Sequence, residues 1–294
     1  MTTKLHSITA VPVTPFITGT KPNLDEIARQ TEAICSSRVD AIFPCASTSE
    51  FVCMDPEDKL AVLKTVAETN KGRKYLFAGA ADASLPGAIR YVEAAKRLGY
   101  DSAVLCPPYY YGLGQEDVYR FYKAVTDAAE GLPIVAYHVP FFTTGIEIPT
   151  FRRLLELPGL SGMKDSSANM KRIAHVCDIA LRARPDFYVY TGTDDCLLPA
   201  LTAGCRGNMT ALAASMPEYI CGIYDAFRAG DLALAMRRQR AIEEIIRLAD
   251  ELTFPKGYKV LAKANGLHVE DMDDDRVPPI YEAMCKLLRE GIEK

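Results

Sequence analysis

Several kinds of sequence feature are missing from this 294-residue chain, and each absence excludes a class of protein. No apolar run approaches the roughly 20 residues that a helix needs to cross a bilayer. The first six residues also lack the apolar core of a signal peptide. The sequence therefore predicts a cytoplasmic protein with no membrane partner.

Motifs for nucleotides, nucleic acids, disulfides and metals are also missing. Neither G-x-G-x-x-G nor G-x-x-x-x-G-K-[ST] occurs, which disfavours a doubly wound nucleotide-binding fold. The net charge of −4 and the scattered Lys and Arg provide no basic stripe for nucleic acid. The nine cysteines contain no C-x-x-C pair and are predicted to be reduced. No metal site or external cofactor is predicted, because the four histidines are far apart in sequence; they are His6, His138, His175 and His268.

What the chain does contain is an alternation of short apolar runs with helical patterns. Eight runs rich in Val, Ile, Phe and Tyr are predicted to be strands, spaced at roughly 25–35 residues, which is typical of the βα repeat of a barrel. The predicted strands cover residues 8–13, 39–45, 74–80, 102–107, 133–139, 160–165, 187–192 and 207–212. We therefore predict an α/β fold, a (β/α)₈ TIM barrel over residues 1–230.

Helix starts and the C-terminal region complete this architecture. An N-cap residue with proline close behind it predicts helix starts at Asp55-Pro56, Ser84-Leu85-Pro86 and Ser215-Met216-Pro217. Helical patterns near 231–252, 256–265 and 276–292 exceed what eight βα units need. Since no linker-like segment precedes them, residues 231–294 are predicted to form a helical extension packed on the barrel, within one structural domain.

Two candidate catalytic residues follow neighbouring predicted strands. Active sites of such barrels lie at the carboxyl ends of the strands, and Lys164 is at the end of the sixth. An amine enclosed among barrel side chains is a candidate nucleophile, although Lys164 could instead extend to the rim or pair with Asp165. Tyr137, which ends the fifth strand, could transfer a proton beside Lys164 or simply fill the core.

Three loops contribute further candidates. The hydroxyls of Ser47 and Thr48 after the second strand suit a substrate carboxylate, or else they belong to a segment that caps the following helix. Tyr109, Tyr110 and Tyr111 after the fourth strand suit an interface or a pocket wall. After the seventh strand, the carboxylates of Asp194 and Asp195 could bind sugar hydroxyls or cap a helix. Gly192 in the same segment and Met209 in the eighth strand complete the predicted substrate-binding set.

With these positions in hand, the sequence resembles the dihydrodipicolinate synthase / N-acetylneuraminate lyase family of Schiff-base-forming barrels. Five motifs carry the resemblance in order: residues 8–16, the loop at 46–50, Pro-Tyr-Tyr at 108–110, Tyr-x-Val-Pro at 137–140 and Gly-x-Lys-Asp-Ser at 162–166. The resemblance implies that Lys164 forms the Schiff base, Tyr137 transfers protons and Thr48 is the hydrogen-bonded partner of Tyr137. It also implies that Ser47 and Thr48 bind the carboxylate of pyruvate, and that Tyr110 reaches a neighbouring subunit's site within a homotetramer.

The sequence also departs from the family pattern. Ala46 and Ser49 stand where glycine is common, so the backbone of this loop is expected to run differently. His138 stands where asparagine is frequent, and is either a further acid/base or substrate-binding group or a packing substitution. The arginine that dihydrodipicolinate synthases carry after Tyr-x-x-Pro is missing from residues 141–145. Phe141 and Phe142 there suggest an acceptor with an apolar portion or a smaller pocket.

We therefore expect a lyase that cleaves or forms a 2-oxo-3-deoxy acid, with pyruvate and an aldehyde as the small-molecule partners. The iminium formed on lysine serves as the electron sink, so no external cofactor is needed. A dehydratase on the same scaffold and 4-hydroxy-tetrahydrodipicolinate synthase are the alternatives. A non-catalytic barrel that binds a 2-oxo acid is a further alternative, disfavoured by the presence of Lys164, Tyr137 and Thr48.

Overall fold

Eight parallel strands form a closed barrel in which the strands follow one another in sequence order. The computed structural model describes residues 7–292. The (β/α)₈ barrel predicted from the sequence is confirmed. The strands are β1 (Ile8–Ala10), β2 (Ala41–Ile42), β3 (Tyr75–Gly79), β4 (Ser102–Leu105), β5 (Ile134–His138), β6 (Leu160–Asp165), β7 (Tyr188–Thr191) and β8 (Gly207–Thr210).

Every observed strand falls within its predicted run, and most are shorter than predicted. In β5 all five residues are buried, as expected for a parallel strand that is covered on both faces. The run predicted at 39–45 is reduced to two residues of strand, and at its end Cys45 has a positive φ of 56° that no β-strand accommodates. The predicted strands are too long because the first residues of the following loops are also apolar and buried.

Helices connect and follow the strands. They are α1 (Leu24–Ser36), α2 (Pro56–Asn70), α3 (Leu85–Arg97), α4 (Gln115–Ala128), α5 (Ile148–Leu154), α6 (Met170–Ala183), α7 (Leu197–Thr202), α8 (Leu212–Ser215), α9 (Pro217–Arg228), α10 (Leu232–Ala241), α11 (Glu243–Asp250), α12 (Lys256–Ala264) and α13 (Val277–Glu290). Among residues 7–292, no helix is long and apolar enough to cross a membrane.

Helices begin at all three predicted starts, each with proline in its first turn, but the predicted cap residue is wrong in one case. Ser84 caps α3 by accepting a hydrogen bond from the amide of Gly87, and Asp55 precedes α2, although its side chain makes no cap bond. Ser215 is the last residue of α8, so it cannot cap α9, which begins at Pro217. In the C-terminal region, the pattern at 231–252 forms two helices separated by the buried residue Ile242. The predicted domain boundary at residue 230 stays a prediction.

Contacts group the chain into two compact units. One comprises Tyr75–Met209 together with Ser7, and holds strands β3 to β7 and most of β8. The other comprises residues from Ile8 to Lys74 and from Thr210 onward, and holds β1, β2 and the C-terminal helices. The lysine and tyrosine singled out above belong to the first unit, and the loop at 46–50 belongs to the second.

Candidate active site

Lys164 and Tyr137 lie directly opposite each other on adjacent strands. They are register partners in the parallel pair β5 and β6, so their side chains leave the barrel wall on the same side. Both are buried, with 4% and 6% of their surface exposed. The Lys164 Nζ is 4.5 Å from the centre of the Tyr137 ring. The structure thus brings an amine and a phenol together at the carboxyl ends of two strands, as the sequence predicts.

The neighbouring carboxylate of Asp165 has other partners. It accepts hydrogen bonds from the Ser167 amide at 2.9 Å and from the Ser167 hydroxyl at 2.5 Å, and it forms an ion pair with Arg172 at 3.0 Å. Successive strand residues point to opposite faces. Lys164 therefore neither reaches the rim nor shares the face of Asp165, which removes both structural alternatives considered for it.

Ser166 is a residue of this site that the sequence reasoning missed. Its buried hydroxyl donates a hydrogen bond to the hydroxyl oxygen of Tyr137 at 3.3 Å. The signal was available, because a residue two positions after Lys164 along an extended chain lies on the same side as the lysine. Ser166 therefore orients the Tyr137 phenol toward the Lys164 side of the strand.

Gly192 packs against the side chains of Ser166 and Lys164. A Cβ at this position would lie 1.8 Å from Ser166 Oγ and 2.7 Å from Lys164 Cε. The Gly192 amide also donates to the Asp165 carbonyl at 2.8 Å, which continues the β6 to β7 ladder by one residue. A side chain at this position would therefore displace both Ser166 and the stem of Lys164. Its predicted contact with substrate stays a prediction.

His138 anchors the loop that follows β5. It is 5% exposed, and its Nδ1 accepts a hydrogen bond from the Ile146 amide at 2.9 Å. Burial lowers the pKa of His138 to about 4, against a smaller opposing influence of Asp165. The imidazole is thus neutral near pH 7, with its proton on Nε2. This geometry assigns it a structural contact, and its predicted role in substrate binding stays a prediction.

The loops after β4 and β5 are joined and carry exposed aromatic side chains. An isolated bridge pairs Tyr109 with Thr143, and the Leu113 amide donates to Thr144 Oγ1 at 2.8 Å. Tyr110 has a φ of 86° and is 87% exposed. Four exposed rings are found in these two loops: Tyr110, Tyr111, Phe141 and Phe142. Tyr110 is thus accessible for contact with another subunit.

The loop at 46–50 forms a tight turn within its own unit. Residues Ser47–Ser49 adopt one turn of 3₁₀ helix, and Thr48 is buried. The Ser49 hydroxyl donates to the Pro12 carbonyl at 2.6 Å and accepts from the Ala46 amide at 3.2 Å. Within this loop, Glu50 has a positive φ of 54°, whereas the backbone of Ala46 is extended. Ser49 thus contributes side-chain bonds that a glycine in its place could not make.

The remaining candidates are placed as follows. Asp194 is buried after β7, Asp195 is half-buried, and Met209 lies fully buried in β8. Within residues 7–292, no cluster of three or more His, Cys, Asp or Glu side chains could hold a metal ion. The first unit thus brings together the Lys164 amine of β6, the Tyr137 phenol of β5 and the hydroxyl of Ser166, which directly follows β6.

A (β/α)₈ barrel with a buried lysine beside a tyrosine at the strand ends has the arrangement of a class I aldolase. In that class, a lysine amine attacks a substrate ketone and a neighbouring group transfers the protons.

Comparison with known proteins agrees with this class. The sequence profile of the Dihydrodipicolinate synthetase family matches residues 4–290, and the chain belongs to this family. Members of this family are carbon–carbon lyases. A 4-hydroxy-tetrahydrodipicolinate synthase of Anaeromyxobacter dehalogenans (strain 2CP-C) is 33% identical over 288 residues, covering 95% of this chain and 94% of the relative.

Two further relatives show the range of the family. An N-acetylneuraminate lyase of Salmonella paratyphi B is 28% identical, covering 99% of both chains. YagE, a prophage protein of the dihydrodipicolinic acid synthase family from E. coli K12 solved in complex with pyruvate, superposes with a TM-score of 0.90 at 21% identity, covering 98% of both chains. At that identity the structural likeness supports the fold alone.

Proposed function

We propose that this protein is a pyruvate-dependent aldolase in which Lys164 forms a Schiff base with the ketone of a 2-oxo acid. The observation that carries the proposal is the pairing of Lys164 with Tyr137 across β5 and β6, both buried, with the Ser166 hydroxyl on the Tyr137 oxygen. Because these groups lie on rigid strands, the amine and the phenol are held in one orientation before substrate arrives.

In the cleavage direction, Lys164 Nζ attacks C2 of a 2-oxo-3-deoxy acid to give a carbinolamine. The Tyr137 phenol protonates the departing carbinolamine hydroxyl, so that water leaves, an iminium remains and Tyr137 becomes a phenolate. The phenolate then takes the proton of the C4 hydroxyl. The C3–C4 bond then breaks, its electron pair enters the iminium to give an enamine, and an aldehyde leaves. Protonation of the enamine at C3 and hydrolysis release pyruvate and restore the lysine. The iminium is the electron sink, so the reaction needs no external cofactor.

The test is borohydride reduction in the presence of pyruvate, followed by intact-protein and peptide mass spectrometry. A reduced pyruvyl adduct is expected on the peptide that contains Lys164. Lys164→Ala should abolish the adduct while the circular dichroism spectrum stays native, and Lys171→Ala, which removes an exposed lysine of α6, should leave the adduct unchanged. Trapping that persists in Lys164→Ala would remove this lysine as the nucleophile.

The acceptor is proposed to be an aldehyde that either has an apolar portion or is small enough for a narrowed pocket. Phe141 and Phe142 occupy the segment after β5, and residues 141–145 contain no arginine that could grip a second carboxylate. A screen of aldehydes against pyruvate, scored by product mass, distinguishes the outcomes. Aldehyde and pyruvate as products indicate an aldolase, and a dehydrated oxo acid indicates a dehydratase.

4-Hydroxy-tetrahydrodipicolinate synthase is the second candidate, favoured by the relative at 33% identity. The missing arginine weighs against it. Condensation of pyruvate with aspartate semialdehyde at a rate above that of other aldehydes would establish this candidate in place of the first.

Assembly is proposed to follow the resemblance, with Tyr110 contributing to the site of a neighbouring subunit in a homotetramer. Two observations on Tyr110 support this proposal. The side chain is exposed on the surface, and its ring packs edge-on against the ring of Tyr111, with 4.9 Å between the ring centroids. Analytical ultracentrifugation of the wild-type protein tests the tetramer.

Ser47 and Thr48 are likewise proposed to bind the pyruvate carboxylate. The test is Thr48→Val, which should raise the pyruvate concentration that half-saturates borohydride trapping.

A further inference from the structure

A second buried lysine, Lys259 in α12, carries an ammonium group enclosed by two carboxylates. Its side chain is 2% exposed and forms ion pairs with Glu50 and Glu270. The Nζ also lies 4.1 Å from the centre of the Phe16 ring, and the other oxygen of Glu270 accepts a hydrogen bond from the Phe16 amide at 3.0 Å. A buried charge that loses one of its partners is strongly destabilised. This ion-pair cluster, made of Lys259, Glu50 and Glu270, therefore fixes the position of each member.

One member of the cluster ends the turn that carries the proposed carboxylate-binding hydroxyls. Glu50 follows Ser47–Ser49 directly, and its amide donates to the Ser47 carbonyl at 3.0 Å. Its backbone is left-handed, with φ 54° and ψ 39°, a conformation that residues other than glycine adopt only where their surroundings enforce it. The pairing of the Glu50 carboxylate with Lys259 is such a restraint.

The opposite side of the turn is held separately. Thr14 Oγ1 donates to the Ser49 carbonyl at 2.8 Å, and Ser49 Oγ donates to the Pro12 carbonyl at 2.6 Å. Those bonds fix the middle of the turn to the segment after β1. The end of the turn, at Glu50, is fixed by the ion-pair cluster on α12.

We propose that Lys259 is a positioning residue that holds the turn at 46–50 in the conformation that binds the carboxylate of pyruvate. The lysine acts through Glu50 and makes a helix of the C-terminal region part of the substrate-binding apparatus. This inference rests on the proposed function, because it uses the roles proposed for Ser47 and Thr48.

The first measurement reads the turn directly and needs no substrate. Hydrogen exchange of the peptide spanning residues 43–54 is compared in the wild type, Lys259→Met and Lys263→Met. Lys263 lies one turn further along α12 in an ion pair with the exposed Asp271, so its substitution removes a lysine from the same helix without touching the cluster. We expect exchange in this peptide to accelerate about tenfold or more in Lys259→Met, because local opening becomes easier once Glu50 is released, and to stay unchanged in Lys263→Met.

The second measurement reads binding. The pyruvate concentration that half-saturates borohydride trapping at Lys164 should rise about tenfold in Lys259→Met, while the adduct formed at saturating pyruvate stays complete. Lys259→Arg keeps the charge and should restore most of the affinity. If Lys259→Met does not fold, Glu50→Gln, which keeps the side-chain shape and removes the charge, should give the same two changes.

The outcomes separate the two proposals. Absence of any adduct in the wild type refutes the proposed function. An adduct in the wild type, with exchange of the 43–54 peptide unchanged in Lys259→Met and Glu50→Gln, refutes the role of Lys259. Faster exchange with an unchanged pyruvate dependence refutes the link between this cluster and substrate binding, as does an equal loss of trapping at every pyruvate concentration.

Discussion

Gly192→Ala would place a methyl group between the two side chains that orient the proposed chemistry. Ordinary contacts of a Cβ begin at 3.4 Å, whereas the added atom would meet Ser166 Oγ at 1.8 Å and Lys164 Cε at 2.7 Å. The serine oxygen must then move by about 1.6 Å and the lysine carbon by about 0.7 Å to restore that spacing. Rotation of Ser166 breaks its bond to the Tyr137 hydroxyl, and displacement of the lysine stem moves the attacking nitrogen.

Misplacement of a reacting group by about 1 Å costs on the order of 10²-fold in rate. We therefore expect Gly192→Ala to slow adduct formation at saturating pyruvate about 10²-fold, and overpacking to lower the free energy of unfolding by about 1–3 kcal/mol. The assay is a time course of borohydride trapping followed by mass spectrometry, with urea unfolding measured in parallel.

Two controls isolate the steric effect. Gly112→Ala adds a methyl group that meets nothing within 4 Å at a residue without positive φ, and should behave as the wild type. Ser166→Ala removes the bond to Tyr137 without adding bulk, so the additional loss in Gly192→Ala measures the displacement of Lys164. Trapping at the wild-type rate in Gly192→Ala would refute the conclusion that this backbone sets the position of the lysine.

Two further predictions concern the residues of β5. Tyr137→Phe should lower turnover about 10²–10⁴-fold, the usual contribution of a positioned proton donor or acceptor, while the pyruvate concentration that half-saturates trapping changes little; equal losses in both would contradict the proton-transfer role. For His138, the pKa of about 4 in the folded protein is lower than the 6.5 of a free imidazole, so the unfolded chain takes up a proton first as the pH falls. The histidine's contribution to the free energy of unfolding is therefore present above pH 6.5 and declines as the pH falls from about 6.5 toward 4. Urea unfolding at pH 7 and pH 4.5 should show a smaller acid loss in His138→Asn than in the wild type, and the same loss in both would rule out this histidine as the cause.

The strands and the two central site residues were predictable because each depends on local sequence. Continuous apolar runs mark buried parallel strands, and Tyr137 and Lys164 are each the last residue but one of two strands that are consecutive in the chain. In a barrel whose strands follow sequence order, consecutive strands are neighbours, so the proximity of these residues follows from their positions near the strand ends. Their direct pairing depends on register, because the shift between Ile134 and Val135 sets Tyr137 opposite Lys164.

The contacts that orient the site were not predictable, because they depend on register and on distant partners. Whether the Ser166 hydroxyl reaches Tyr137 depends on how β5 and β6 align, and their register shifts between Ile134 and Val135. The partner of Glu50 is more than 200 residues away in α12, and no periodic pattern connects the two. Gly192 was predicted to contact substrate, which stays a prediction; that a side chain there would collide with Lys164 and Ser166 depends on the packing of two loops and has no signal in the sequence.

The bridge between Tyr109 and Thr143 has a consequence for how proteins with this architecture diverge. It joins the backbone that presents Tyr110 to the backbone that presents Phe141 and Phe142. Because the bridge joins the two backbones, a change in the conformation of one loop is transmitted to the other. With the roles proposed above for these loops, a mutation that admits another aldehyde would also alter the proposed subunit contact, and a new acceptor would require both loops to change together.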